Sequence, residues 1–166
     1  MSEPTNAINT ALQEAEKTQK DLYLTFHLGN EDYGIEIFHV TEIVGIQKIT
    51  KVPDMPEFIK GVINLRGSLI PVMDVRLKFR MPERQYDDRT CLVVVRVNEI
   101  TTALVVDSVN EVSEIPADQI EPSPCTGGFS SNYINGMGKV GDTVKILLNM
   151  NALLSESHEE DEAVLV

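Results

Sequence analysis

Apolar and polar residues alternate along much of this chain with the two-residue period of strands lying half in a core. Leu22, Leu24, Phe26 and Leu28 fall on one phase, and Tyr23, Thr25 and His27 on the other. Gly29-Asn30-Glu31-Asp32 supplies turn residues, and Tyr33-Gly34-Ile35-Glu36-Ile37 resumes the alternation, which predicts a hairpin. Leu69-Ile70-Pro71-Val72-Met73 is a short apolar run whose proline places it at an edge or a bulge. Thr90 to Val97 is β-branched and nearly continuous, Asn98-Glu99 turns it into Ile100 to Val106, and Thr143 to Leu148 is the last strong strand. Helical pieces are expected to be short: Phe38 to Ile43, Val75 to Phe79, and Asn151 to Leu154. Near the start, Ala7, Ile8, Ala11, Leu12 and Ala15 keep helical spacing, but only Ile8 and Leu12 are large. A marginal helix outside the core is expected there.

The pattern repeats. Asn30-Glu31 followed by Val40-Thr41-Glu42-Ile43 is matched by Asn98-Glu99 followed by Val109-Asn110-Glu111-Val112, and the strands before each pair also correspond. Gly67-Ser68-Leu69-Ile70 is loosely echoed by Gly141-Asp142-Thr143-Val144. Short strands separated by Gly and Pro indicate small barrels or a sandwich. A unit of roughly 70 residues is marginal alone, so two such barrels should share an apolar seam.

Charge narrows the classes of partner. The 166 residues carry 14 Lys or Arg and 26 Asp or Glu, a formal net charge of −12. That sign disfavours a nucleic-acid backbone and an anionic membrane surface. The acid is uneven: residues 156–166 hold five acids and no base, whereas residues 40–89 hold nine bases and seven acids. No signal-peptide pattern opens the chain and no apolar run approaches a membrane span, so a soluble, cytoplasmic protein is expected. The two cysteines, Cys91 and Cys125, are too few for a disulfide scaffold.

Candidate chemistry is sparse. His27, His39 and His158 lack ligand spacing and the cysteines form no Cys-x-x-Cys pair, so no metal and no cofactor is expected. Gly136-Met137-Gly138-Lys139-Val140-Gly141 matches a dinucleotide-binding string but leads into a strand pattern, not a helix, and reads as a glycine-rich β-turn. Asp74 is placed to cap the short helix after it. A small hydrolase using His39 with Asp74 or Asp107 is the competing enzymatic reading; the expectation is that the protein is not an enzyme.

The densest segment is Gly61-Val62-Ile63-Asn64-Leu65-Arg66-Gly67, followed by Ile70-Pro71-Val72-Met73-Asp74-Val75-Arg76. It strongly resembles the central signature of the CheW family, the coupling proteins of bacterial chemotaxis, and the Tyr33 to Ile37 hairpin followed by Val40-x-Glu42-Ile43 is similar too. The resemblance runs from about Asp21 to Ser155. It implies an all-β fold of two SH3-like five-stranded barrels on a shared hydrophobic core, with a few short helices. Residues 1–20 would be a tail or marginal helix, 21–155 the CheW-like domain of two intertwined barrel subdomains, and 156–166 an acidic tail.

The resemblance further implies a non-enzymatic adapter between the cytoplasmic tips of chemoreceptors and the histidine kinase CheA, alternating in rings with the kinase's regulatory domain, with other copies of itself as a further ring partner, and recruited to membrane-associated arrays. Receptor contact falls on Val40, Glu42, Ile43, Gly61, Asn64 and Arg66. Kinase contact falls on the first hairpin near Ile37 and on the loop from Ile120, with Glu121 and Thr126. Glu121 stands where relatives can carry a basic residue, a departure at the second kinase contact. From the residues themselves, Val40 and Ile43 read equally as core, Gly61 and Gly67 as turn glycines, and Arg66 as an internal partner of Glu42. The length leaves no room for a kinase's phosphotransfer and ATP-binding domains; an isolated regulatory domain of a CheA-type kinase is the alternative on the same fold.

Overall fold

In the computed structural model, residues 7–10, 12, 20–125 and 127–155 are described. Eleven strands among them form two sheets. One sheet contains β3 (Val40–Gly45), β4 (Ile59–Leu65), β5 (Ser68–Asp74), β6 (Cys91–Val97) and β7 (Ile100–Val106), in the order β3-β6-β7-β5-β4. The other contains β1 (Leu22–Leu28), β2 (Glu31–Glu36), β8 (Ser108–Glu114), β9 (Ile120–Glu121), β10 (Ile134–Val140) and β11 (Thr143–Leu148), in the order β8-β1-β2-β11-β10-β9. The sixth strand there is the two-residue β9.

The repeat seen in the sequence is visible in these orders. Reading β8 for β3, β1 for β6, β2 for β7, β11 for β5 and β10 for β4 turns one sheet into the other. Each half has therefore given its first hairpin to the other half's barrel: β1–β2 pairs with strands from the second half, and β6–β7 with strands from the first. Even the parallel pair recurs, β2 beside β11 and β5 beside β7. The exchange makes the two barrels one folding unit.

The near-continuous apolar run of β6 follows from its position. Val93, Val95 and Val97 face the core shared with Leu24, Phe26 and Leu28 of β1, whereas Leu92 and Val94 face a smaller cluster with Ile63, Ile70, Val72, Ala103 and Val105. A strand buried on both faces cannot alternate.

Among the expected helices, Val75–Lys78 forms, with the Asp74 carboxylate accepting the Leu77 N–H at 3.3 Å. Residues 150–155 are helical, opened by Asn149, whose Oδ1 accepts the Ala152 N–H at 3.1 Å. The helix expected over Phe38 to Ile43 does not form. A single 3-10 turn, Ile37–His39, leads into β3, because the β-branched run Val40-Thr41 and Ile43-Val44 pairs with β6. The Gly136 to Gly141 string is largely strand β10, not a turn; Gly136 and Gly138 leave room for the β9 backbone and for Ile115. The described residues near the start also differ from expectation: Leu12 is only 6% exposed and joins the main core, with Ile8 packed against it.

The connection from residue 79 to 90 is pinned by buried acids. Asp107 receives the Nε and Nη2 of Arg76 at 2.7 and 2.8 Å, Nη1 of Arg84 at 3.0 Å and the Gly29 N–H at 2.7 Å. Burial pushes the Asp107 carboxyl up, but the Arg76 fork, the Gly29 N–H and Arg84 together hold it below the usual carboxylate range. A carboxyl depressed in the fold stabilises above its unfolded pKa of about 4, and that contribution is lost as pH falls through the lower folded value. Asp107→Asn should therefore cost about 2 kcal/mol at neutral pH. Denaturant midpoints measured at pH 7 and pH 3 should show the deficit shrinking in acid.

Candidate functional site

β4 and β5 are joined by two residues, Arg66 and Gly67, with Leu65 facing Ser68 across the hairpin. Both central residues have positive φ, 50° and 87°, as a type I′ turn requires. Asn64 fastens the turn by accepting the Gly67 N–H on Oδ1 at 2.9 Å. The turn projects Arg66 outward, its side chain 68% exposed.

At the other end of β4, Gly61 has φ 140°, and a Cβ there would lie 2.0 Å from the carbonyl oxygen of Thr50. That close approach lets Thr50 and Val62 exchange two backbone hydrogen bonds, at 2.8 and 2.9 Å, which fasten the segment before β4 to the sheet. Gly61 is buried and shapes the backbone.

β3 carries a bulge between Val40 and Glu42, where the Thr41 hydroxyl donates to the Val94 carbonyl at 3.1 Å. A bulge re-aims the side chain that follows it. Here the Glu42 carboxylate accepts a hydrogen bond from the Arg66 guanidinium and forms an ion pair with it. A pair this exposed to solvent contributes little to stability, so its main effect is to hold Arg66 in place with donors left for a partner.

These residues border an open depression of about 730 Å³ that also includes Thr41, Leu65, Leu69 and Arg96. Leu69 is 71% exposed at its rim. An apolar side chain beside mixed charge suits a partner with an apolar ridge and a few polar anchors.

Of the residues expected to contact receptor, Glu42 and Arg66 meet at this depression, and Asn64 acts on it through the Gly67 turn that carries Arg66. Val40 is half-buried and packs against the core. Ile43 is 1% exposed, so its side chain is core and is not available as an apolar contact. Ile37 on the expected kinase face is likewise buried, at 4%; its neighbour Phe38 is the exposed residue, with its ring 4.2 Å from that of His39. Glu121 is exposed on β9 and accepts from Lys139 at 2.7 Å, which holds its carboxyl below the usual range. Thr126 lies outside the described residues.

Leu69 and Arg96 did not emerge from the sequence reading, although a signal existed. Ile70 and Val72 fix the inward phase of β5, which turns Leu69 outward, and Val95 and Val97 do the same for Arg96 in β6.

The two acids of the enzymatic alternative are engaged by other partners. Asp74 accepts from Leu77 and from the Tyr86 hydroxyl at 2.7 Å, and Asp107 is taken up by two arginines. Burial lowers the His39 pKa, against the opposing pull of Glu36 and the Arg96 backbone, and its ring lies tilted at 48° against that of Phe38. Among the described residues no three His, Cys, Asp or Glu groups converge as metal ligands, and no helix is long and apolar enough to cross a membrane.

The family model of the CheW-like domain matches residues 22–158. The chain is 40% identical over 134 residues to the chemotaxis protein CheW of Klebsiella aerogenes, covering 80% of this chain and 81% of that protein. It is 32% identical to the chemotaxis protein CheW of Helicobacter pylori, covering 81% of each. The crystal structure of the scaffolding protein TtCheW from Thermoanaerobacter tengcongensis superposes with a TM-score of 0.73 at 36% identity, covering 78% of this chain and 88% of that one. With its two exchanged barrels, its Asn64-Leu65-Arg66-Gly67 turn and a family match over most of its length, the chain belongs to the CheW family.

Proposed function

We propose that this chain is a non-enzymatic chemotaxis adapter that couples the cytoplasmic tips of chemoreceptors to the histidine kinase CheA, working in the cytoplasm at membrane-associated receptor arrays. The observation that carries the reading is the depression where Arg66, held by Glu42, stands beside the exposed Leu69. Its position on the family's own signature, and the engagement of the buried acids elsewhere, support binding rather than turnover. A receptor tip is a helical hairpin; Leu69 offers it apolar contact and Arg66 a forked donor for carboxylates or carbonyls.

Kinase contact belongs to the outer ends of the barrels, one near the Ile37–His39 turn and one near Glu121. Individual contacts of this kind are modest, and rings joining copies of the adapter and the kinase add strength through multivalency. Co-sedimentation with receptor fragments and the kinase, each omitted in turn, tests the reading. The joint pellet should exceed the sum of the pairwise ones. A kinase pellet that is indifferent to this protein would overturn the proposal.

A further inference from the structure

Among the described residues β3 is an edge strand: it pairs with β6 on one side and with no strand on the other. The backbone of Ile43 points toward that open side, and a side chain closes it. Asn9 accepts the Ile43 N–H on Oδ1 at 3.0 Å and donates from Nδ2 to the Ile43 carbonyl at 3.2 Å. A carboxamide reproduces the donor and acceptor of a peptide group, so Asn9 acts as a one-residue strand on this edge. Its neighbours fix it there, Leu12 buried in the core and Ile8 packed against it.

Ile43 directly follows Glu42, the residue that holds Arg66. On the other side of Glu42 the pairing with β6 is interrupted by the bulge. The backbone that aims Glu42 is thus irregular before it and held by Asn9 after it. We propose that Asn9 is a positioning residue for the receptor surface: it clamps Ile43 so that Glu42 and Arg66 keep their geometry. The inference rests on the adapter reading and extends the working surface to an N-terminal residue that does not itself line the depression.

The test compares the full-length wild type with Asn9→Ala and Asn9→Asp. Aspartate keeps the acceptor for the Ile43 N–H but has no donor for its carbonyl. Amide exchange at Ile43 should quicken at least about tenfold in Asn9→Ala, while Leu24 and Val93 amides stay protected. Affinity for a receptor fragment should fall about fivefold, the scale of one or two net hydrogen bonds, with kinase binding unchanged. Asn9→Asp should lie at or near the alanine variant. Unchanged Ile43 exchange overturns the clamp. Faster exchange with wild-type receptor affinity overturns its positioning role, whether or not the bared edge makes the variant self-associate. If the wild type itself does not bind receptor, the adapter reading fails, while the exchange measurement still decides whether Asn9 clamps β3.

Discussion

Arg66→Asp should fold normally and lose at least about tenfold in receptor affinity. The fold tolerates the change because Arg66 is exposed, its ion pair with Glu42 contributes little, and aspartate accepts positive φ better than most residues. Binding does not tolerate it, because the substitution removes a forked donor and sets two carboxylates side by side. The swapped pair Glu42→Arg with Arg66→Glu separates the two roles of the bridge. If the pair only braces the turn, the swap restores binding. If a partner reads the guanidinium at the turn, the swap stays defective despite an intact internal pair. Receptor pelleting at wild-type strength for Arg66→Asp would remove Arg66 from the contact.

Gly61→Ala should cost about 4 kcal/mol, a large share of a typical domain's 5–15 kcal/mol. The methyl would meet the Thr50 carbonyl oxygen at 2.0 Å and its carbon at 2.7 Å, so backbone must move. That movement threatens both Thr50–Val62 hydrogen bonds, and φ 140° adds strain for any residue with a side chain. Gly67→Ala is the control: its φ is also positive, but a Cβ there meets nothing within 4 Å. It should cost about 1 kcal/mol, from the turn conformation alone. Denaturant unfolding of the two variants measures the difference. Equal losses would show that the close approach of Thr50 has no energetic weight.

The two glycines illustrate what a linear reading reaches. Asn64-Leu65-Arg66-Gly67 is legible as a turn through the family signature, and its local turn chemistry agrees. Nothing beside Gly61 in the sequence indicates Thr50, which arrives from a loop eleven residues earlier. Ile43 and Ile37 show the opposite failure. An apolar residue in a family signature is equally consistent with contact and with core, and only burial separates them. Phe38, one position on, carries the exposure assigned to Ile37.

Alternation, β-branched runs and turn residues by themselves determined an all-β chain with a duplicated pattern and a short helix capped by Asp74, and the family resemblance added the signature turn that carries Arg66. Each depends on residues a few positions apart, where period and propensity act directly. The tertiary structure decided that the halves exchange hairpins, that β6 is buried on both faces, and that Glu42 meets Arg66 while Asn9 closes the edge of β3. Those outcomes depend on which strands lie side by side. Strand pairing joins residues tens of positions apart, and such partners are chosen by the packing of the whole core rather than by their neighbours in the chain.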